Sequence, residues 1–522
     1  MAERDVPRTH LWVALTATLF GAIALYQSLA IGLVLDDAYI SFRYAVRWAM
    51  GDGLSFNPGP PTEGYTNFLW VVLAAVFERV GMASPGTMPI VGVIAGVCVV
   101  WVAARSASGN AAGYDARSLV AGGIVAVAPG LTFYAGTGLE TALYTLFVTA
   151  ALGALNEKRD VRFAALGVLA FLTRPDAGLL LAFGITWRAL GPRIAGGADS
   201  PAARIEWKSA LRMAVVIAAP VMGYLAWKWS HFGGFVPLTL LAKTPVPSQA
   251  AQYTLESVAP AAGLFLVALW GAFRRPNAAP SPEARVDERR IATARVHVAF
   301  ALLTAASLVA VGPDWMPAGR LLVPAIPALA IAFASMVPTV KPPSWRSSAA
   351  IPAWLAGVAV AVYVAHAAWL TVDLHGRHDH RIDEDEKIVT LVRSLQQDGM
   401  ASFGTVNIGL VGYVSPTAPV FDLGGLTDAH IARLPGPHLH KHPEAAYLAA
   451  HAPDVFLLTS SEPIRIGESG QASYRPDFDV ESHVFSLPWF QRTYRYAGTL
   501  MLSPNYYYHA FVERRSFGPE TR

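Results

Sequence analysis

The chain is poor in charged residues and contains a single cysteine. Only 15% of its 522 residues are charged and 53% are hydrophobic, whereas about 25% of the residues of an average soluble protein are charged. Cys98 lies inside an apolar run, which excludes a disulfide framework and a cysteine metal site. The net charge of +3 gives no overall field that would attract nucleic acid. This composition excludes a typical cytosolic enzyme and indicates a protein that crosses the membrane several times.

Long apolar runs recur through the first two thirds of the chain. The first run, from Leu11 to Leu35, follows Arg4 and Arg8. It is longer than the roughly 7–15 apolar residues of a signal peptide, so we expect a retained membrane span of the usual length of about 20 residues. Further apolar runs occupy residues 88–104, 118–136, 141–155, 163–173, 177–187, 209–227, 255–273, 296–312, 321–337 and 349–369. Together these runs predict about eleven transmembrane helices.

The distribution of Lys and Arg predicts how these helices are oriented. Segment 67–77 is apolar but short. If it does not cross the membrane, the cytoplasmic segments outside the tail carry 20 basic residues and those on the opposite side carry 7. A crossing would invert most of this asymmetry, against the positive-inside rule. We therefore expect a cytoplasmic N-terminus and an extracytoplasmic tail.

The composition changes near residue 370. Of the 14 histidines, 11 lie at or after His366. The stretch Asp383–Met400 is typical of an amphipathic helix. Short β-branched or aromatic runs, which are typical of strands, follow it at Val420–Asp422, Asp454–Leu458 and Tyr494–Leu502. We predict two domains: an all-α polytopic membrane domain over residues 1–369, and a small extracytoplasmic α/β domain over residues 370–522.

The first outer loop has an acidic pair, Asp36 and Asp37, at the mouth of the first span. Two adjacent carboxylates repel each other, and this repulsion together with partial burial raises the pKa of one of them towards the range that a general base needs. Solvated acids that mark the end of a helix, or a cap for a helix that starts near Ala38, would place acidic residues at the same positions. The residues alone leave the catalytic and the structural interpretation open.

Several motifs resemble a known family. DDAYISFRYA, GDGLSFNPG and TEGYTNFLW are similar to the first loop of polytopic, polyprenyl-phosphate-sugar-dependent glycosyltransferases of the GT-C superfamily. The resemblance continues in matching order through GLET, TRPD, LLAK, DWMP and RLLVP, and in the tail through DLGGLTD and HIAR. It departs at residues 232–238, where the relatives carry a G-D-x-x-P-N-T-like run. It is closest to the membrane arabinofuranosyltransferases that add terminal residues to mycobacterial arabinan, and to their bacterial relatives.

The resemblance implies a GT-C-like fold and transfer of a sugar, with arabinofuranose among the candidates, from a polyprenyl phosphate donor. The acceptor would be a hydroxyl of a glycan, lipid or protein on the outer face of the cytoplasmic (inner) membrane of a bacterium, in cell envelope biogenesis. An inverting transfer needs a carboxylate that takes the acceptor proton and cations that hold the departing phosphate. Asp36 or Asp37 is the predicted base, and Lys243 and Arg320 are the predicted phosphate ligands.

The remaining candidates for substrate binding are polar or aromatic side chains of the matching motifs. They are Tyr39, Arg43, Glu63, Tyr65, Asn67, Glu140, Arg174, Asp176 and Asp314. Structural alternatives stand beside them: an interfacial belt for the aromatic residues, an ion pair within one loop for Arg174 and Asp176, and snorkelling to the lipid headgroups for Lys243.

No cofactor is firmly implied, and a role for a divalent cation is left open. The histidine motifs at 375–380 and 438–442 do not have the spacing of a zinc site, so we expect no metal ligands there. Two other functions compete with glycosyl transfer. A secondary transporter would need a midplane site between repeats, whereas the acidic residues crowd one end of the predicted spans. A membrane-anchored binding or sensor protein would work through residues 370–522.

Overall fold

The computed structural model describes residues 6–31, 34–108, 113–196, 206–243, 247–273, 282–312, 314–336, 350–377, 381–466 and 472–514. The chain divides into two compact units, each built from three stretches of sequence. The first unit comprises Met1–Ala30, Pro89–Tyr224 and Pro245–Arg377. The second comprises Ile31–Met88, Leu225–Thr244 and His378–Arg522. The expected division into domains over residues 1–369 and 370–522 stays a prediction.

Helices account for most of the structure before residue 378. They are α1 (Val6–Ile31), α2 (Asp36–Met50), α3 (Phe68–Arg79), α4 (Ser84–Ala107), α5 (Ala116–Ala126), α6 (Pro129–Ala135), α7 (Thr141–Asn156), α8 (Asp160–Thr173), α9 (Gly178–Gly196), α10 (Trp207–Phe232), α11 (Leu238–Ala242), α12 (Pro247–Val258), α13 (Ala262–Phe273), α14 (Pro282–Val311), α15 (Ile326–Met336) and α16 (Ala350–Arg377). Short 3₁₀ helices occupy Pro175–Ala177, Ala259–Ala261 and Arg320–Ala325.

Within the described ranges, six helical segments are long and apolar enough to cross a membrane, so the chain is an integral membrane protein. They are Thr9–Leu29, Ser84–Ala107, Trp207–Phe232, Ser248–Phe273, Glu288–Val311 and Trp354–Leu374. A seventh span results if α5 and α6, which are bent by 63° at their junction, cross as one. Most of their exposed side chains are large and apolar, as a lipid-facing surface requires.

Of the about eleven predicted spans, the structure supports these six or seven. Other predicted runs form shorter helices. With 14 residues, α8 rises about 21 Å, against a hydrocarbon core of about 30 Å. For the shorter helices, crossing stays a prediction. The apolar segment 67–77 forms α3, whose 12 residues rise about 18 Å, which favours the expectation that it does not cross.

The core of the first unit is a cluster of aliphatic and aromatic side chains from α7, α8, α9, α10, α14 and α15. Phe163, Leu180 and Phe300 are buried in it. Gly184 allows two of these helices to approach closely, because a Cβ atom there would come within 2.0 Å of the Phe163 ring. Dense contacts of this kind hold helices together in a bilayer, where burial of apolar surface supplies little driving force.

The residues after 378 form a small mixed α/β domain. Its helices are α17 (Arg381–Gln397), α18 (Ile408–Val414), α19 (Ala429–Arg433), α20 (Ala445–Ala450), α21 (Asp479–Ser486) and α22 (Pro488–Thr493), and its strands are β1 (Phe403–Thr405), β2 (Val420–Asp422), β3 (Val455–Ser460), β4 (Arg465–Ile466), β5 (Ala472–Ser473), β6 (Tyr494–Ser503) and β7 (Tyr506–Glu513). The main sheet has the order β2-β1-β3-β7-β6. Parallel pairs join β1 to β2 and β3, and antiparallel pairs join β7 to β3 and β6. The fully buried β3 lies at its centre, as a near-continuous apolar strand should.

Candidate functional site

The acidic pair of the second unit lies in the first turn of α2. Asp36 and Asp37 are both half-buried. At the start of a helix, the positive end of the helix dipole stabilises their negative charges. The carboxylate of Asp36 accepts two backbone hydrogen bonds from α18, from the N–H of Gly409 at 3.0 Å and of Leu410 at 2.9 Å. Asp36 therefore caps the start of α18, in addition to standing at the start of its own helix.

Tyr39 lies one turn further along α2 and contacts the first helix of the C-terminal domain. Its hydroxyl donates to Oδ2 of Asp385 at 3.2 Å, and Arg381 Nε lies 3.2 Å from the other oxygen of Asp385. Burial raises the pKa of Asp385 to about 6, against the opposing effect of Arg381. Burial, with the charge of Asp385, also raises the pKa of Tyr39, so this phenol keeps its proton and acts as a donor.

Arg43 is fully buried and holds loops together. Its guanidinium donates to the carbonyls of Phe56, Gly412, Ser415 and Ala418 and to the Asn57 side chain, at 2.6–3.2 Å. An arginine has five N–H donors, and these bonds engage all five. The geometry thus favours a structural role for Arg43, which the sequence placed among the substrate-binding residues.

Glu63 is buried and paired with Lys228, which is not among the predicted site residues. Its carboxylate lies 2.9 Å from Lys228 Nζ, and both side chains are about 5% exposed or less. Burial raises the pKa of Glu63 to about 7, although Lys228 opposes this shift. The signal in the sequence was weak, because Lys228 stands near the end of an apolar run, where snorkelling is the ordinary explanation.

The other predicted residues of the second unit occupy different environments. The Ser41 hydroxyl donates to the buried Asn67 at 3.0 Å, and the Tyr65 ring packs edge-on against Tyr44 at 4.8 Å. Lys243 is exposed at the end of α11. Burial and, after it, the charge of Lys243 lower the pKa of His438. The exposed position of Lys243 is compatible with its predicted role as a phosphate ligand. The Tyr65 ring, in contrast, is packed into an aromatic cluster.

In the first unit, five predicted residues from three stretches of the chain meet in one charge cluster. One oxygen of Glu140 accepts from Arg174 and from Arg320, each at 2.9 Å. Arg174 also bonds Asp176 at 3.0 Å, and Arg320 lies 3.8 Å from Asp314. Glu140 is almost fully buried and Asp176 is 45% exposed. The cluster is therefore anchored on Glu140, and the ion pair expected within the Arg174–Asp176 loop is present.

A hydroxyl group and two aromatic rings contact the two guanidinium groups of this cluster. The Arg320 Nε donates to the Thr141 hydroxyl at 3.3 Å, directly after Glu140 in the chain. Arg174 lies over the Tyr144 ring at 5.6 Å and Arg320 over the Tyr134 ring at 5.9 Å. Such cation–π contacts orient the planar groups. Two fixed guanidinium groups on one side of a carboxylate can hold a phosphate or a carboxylate oxygen in a bidentate manner.

No group of three or more His, Cys, Asp or Glu side chains within the described ranges is arranged to hold a metal ion. Two histidines of the 375–380 motif lie outside those ranges. His442, in the second motif, bonds Asp479 at 2.9 Å and its ring stacks on His483.

Comparisons with known proteins give the class of fold. Residues 378–515 match a family described as a domain of unknown function (DUF8728). No curated protein matches the sequence. The structure is similar to that of ArnT from Cupriavidus metallidurans bound to undecaprenyl phosphate, at 13% identity and a TM-score of 0.57, over 98% of this chain and 99% of that one. The apo form of ArnT matches with the same TM-score, over 98% of both chains.

A mutant form of arabinofuranosyltransferase AftD from Mycobacteria is also similar, at 14% identity and a TM-score of 0.50. The match covers 96% of this chain and 41% of AftD. At such identities the likeness shows the fold and no activity. The protein thus has a GT-C-like fold, as the resemblance of its motifs implied.

Proposed function

We propose that the protein is an integral membrane glycosyltransferase that moves a sugar from a polyprenyl phosphate donor to an acceptor hydroxyl on the outer face of the membrane. The observation that carries this proposal is the likeness of its fold, over nearly the whole length of both chains, to ArnT bound to undecaprenyl phosphate. The motifs of the first loop support the same class of donor. Arabinofuranose is the first sugar to test, because AftD is an arabinofuranosyltransferase.

The proposed step is an inverting displacement at the anomeric carbon. The acceptor oxygen forms a bond to this carbon while the bond to the phosphate oxygen breaks, and polyprenyl phosphate leaves with the bonding electron pair. The acceptor proton passes to an aspartate. Cations stabilise the negative charge on the leaving phosphate, and Lys243 and Arg320 are the candidates for this task.

Asp37 is the better candidate for the base. Both oxygens of Asp36 accept backbone N–H groups at the start of α18, so protonation of Asp36 would disturb one of these bonds. Asp37 is equally half-buried and adjacent in the same helical turn. Asp36 then serves to hold α18 against α2. Both acids lie in the first turn of α2, after its N-cap residue Leu35, and not at the cap position itself.

The proposed orientation places the C-terminal domain outside the bacterial inner membrane, and the asymmetry of 20 against 7 basic residues supports it. An alkaline phosphatase fused to the C-terminus would then be active in intact cells. A fusion that is inactive, while a cytosolic reporter at the same position is active, would overturn the orientation.

The function is tested with the purified protein in detergent and a panel of polyprenyl-phosphate sugars that includes arabinofuranose and mannose. We expect transfer from one donor, a loss of about 100-fold or more in kcat for Asp37→Asn, and a smaller loss for Asp36→Asn. Asp52→Asn is the matched control, because Asp52 is an exposed acid at the far end of α2. No transfer from any donor by folded protein would contradict the proposal and favour a transporter or a binding protein. Full activity of Asp37→Asn would contradict the base assignment alone.

A further inference from the structure

An exposed apolar surface begins at the last turn of α10 and continues into α11. Trp229, Phe235, Val236 and Leu240 are each more than half exposed, and we call these four side chains the apolar patch. The Trp229 and Phe235 rings pack together with their centroids 4.7 Å apart. The patch includes part of residues 232–238, where the sequence departs from the motifs of the GT-C superfamily.

The chain leaves α10 at a glycine turn. The Gly233 N–H donates to the Trp229 carbonyl at 2.9 Å and closes the last turn of the helix. Gly233 itself has a φ of +71°, a left-handed conformation that favours glycine. The chain therefore does not continue along the axis of α10, and it turns so that the Phe235 ring reaches Trp229. Since α10 is one of the candidate membrane spans, the patch lies at the end of a span.

Other side chains of the same segment are packed against the protein. Leu238 and Ala242 of α11 are buried in a small cluster with Ala432 of α19. The Leu238 N–H also donates to the Glu63 carbonyl at 3.0 Å. Leu238 and Ala242 are four positions apart and share one face of the helix, whereas Leu240 is exposed. Thus α11 is fixed to the C-terminal domain on one face and presents an apolar side chain away from it.

The environment that fits the patch is a lipid surface. Residues 229–242 contain no Asp, Glu, Lys or Arg, although a connection that runs through water is usually polar. Exposed apolar patches mark sites of contact with membranes or with other proteins. A membrane is favoured here because the patch is continuous with the end of a candidate span, and because tryptophan is enriched where spans meet the lipid headgroups.

We propose that the apolar patch inserts into the boundary between the headgroups and the acyl chains of the bilayer, and that it anchors the C-terminal domain there through α11. Apolar faces of this kind enter the boundary by about 5–10 Å. The contact of α11 with α19 makes the anchor rigid, because the buried side chains and the exposed ones belong to the same short helix. The proposal does not depend on sugar transfer, so it stands or fails separately from the proposed function.

The test is the position of the patch relative to lipid. The chain has one cysteine, Cys98, so a Cys98→Ala background allows one nitroxide label at each new cysteine. In nanodiscs of phosphatidylcholine and phosphatidylglycerol, paramagnetic resonance measures how often the label collides with oxygen, which concentrates among acyl chains, and with a water-soluble nickel chelate. We expect labels in Phe235→Cys and Leu240→Cys to favour oxygen and to lie about 5–10 Å below the headgroups.

Two further positions provide the controls. Met222→Cys is an exposed apolar position within the candidate span α10, and its label should favour oxygen more strongly than those in the patch. Ala449→Cys is an exposed position of α20, and its label should favour the nickel chelate.

Labels at positions 235 and 240 that collide with nickel as often as the label at 449 would overturn the proposal. Magnetic broadening between the labels of two chains would also overturn it, because a second copy would then cover the patch. An oxygen preference that arises only after polyprenyl phosphate is added would do the same, because the patch would then bind the donor chain.

If the labelled variants do not fold, the unmodified protein decides. Phospholipids with a photoreactive group near the carbonyl end of the acyl chain should crosslink within residues 229–241. Crosslinks to the rest of α10 and none within this segment would contradict the proposal.

Discussion

Gly409 packs directly against Asp36. The Gly409 N–H donates to the Asp36 carboxylate at 3.0 Å, and a Cβ atom on Gly409 would lie 1.9 Å from the Asp36 carbonyl oxygen. A side chain of any size at position 409 would therefore push α18 away from α2. Because Arg43 of α2 also binds the last carbonyls of α18, α2 holds α18 at both ends.

The first prediction concerns Gly409→Ala. Alanine in place of glycine inside a helix normally stabilises the helix by about 1 kcal/mol, but here we expect a loss of about 1–3 kcal/mol from overpacking. The measurement is Tm in detergent. Gly123→Ala is the matched control, because Gly123 lies in α5 with no atom within 4 Å of an added Cβ, and its Tm should be equal or higher. A Gly409→Ala protein as stable as the wild type would mean that α18 can move without cost.

The second prediction compares the two acidic partners of Arg174. Glu140→Gln leaves two largely buried guanidinium groups without their shared carboxylate, and the loss of one partner from such a pair costs about 3–5 kcal/mol. Asp176→Asn removes a carboxylate that is 45% exposed, where an ion pair contributes about 0–1 kcal/mol. We expect a large fall in Tm for the first variant and little change for the second. Equal effects would show that the cluster is not anchored on Glu140.

Much of the C-terminal domain was predictable from local pattern. Most of the amphipathic stretch Asp383–Met400 lies in α17, which ends at Gln397. Val420–Asp422 is β2, and the run Tyr494–Leu502 lies within β6. In these segments, hydrophobic periodicity and β-branched content agree with the tertiary structure. The number of spans was less predictable, since an apolar run as short as α8 does not reveal whether it crosses a bilayer.

The residues of the candidate site also divide into those that the sequence identifies and those that it does not. The charges of the first-unit cluster stand out in apolar sequence, so Glu140, Arg174 and Arg320 were identifiable before their contacts were known. The partners Lys228 and Asp385 were not. Asp385 is 346 positions from Tyr39, in a run of acids that is typical of a solvated helix face, and only its hydrogen bond with Tyr39 distinguishes it. Arg43 is the opposite case, since it was predicted to bind substrate but its geometry favours a structural role. A basic residue in a polar motif does not reveal that all its donors bond other groups of the protein.

The third prediction concerns the buried pair of Glu63 and Lys228. Lys228→Met leaves Glu63 without its cation, and we expect a loss of about 3–5 kcal/mol at alkaline pH. The loss should shrink in acid, because the pKa of Glu63 is already raised to about 7 and the protonated carboxyl needs no cation. The double variant Glu63→Gln, Lys228→Met should recover most of the Tm of the wild type. A loss that is independent of pH, or no recovery in the double variant, would contradict this account.

The fourth prediction is a pH dependence of stability that arises from Glu481. This buried carboxyl bonds the N–H and hydroxyl of Thr459 at 2.9 and 2.8 Å, and burial raises its pKa from 4.5 to about 8. The folded chain therefore binds this proton more tightly than the unfolded chain does. The resulting stability is complete below a pH of about 4.5 and is lost as the pH rises through about 8.

Glu481→Gln keeps an oxygen that accepts from Thr459 and removes the titration. We expect its Tm to fall less than that of the wild type between about pH 5 and pH 9, so that the variant becomes the more stable protein at the alkaline end. The control is Glu462→Gln, an exposed glutamate of the same domain, which should follow the wild type at every pH. If Glu481→Gln has the same pH dependence as the wild type, Glu481 is ionised in the folded protein throughout this range, and its buried charge must be stabilised by more than its bonds to Thr459.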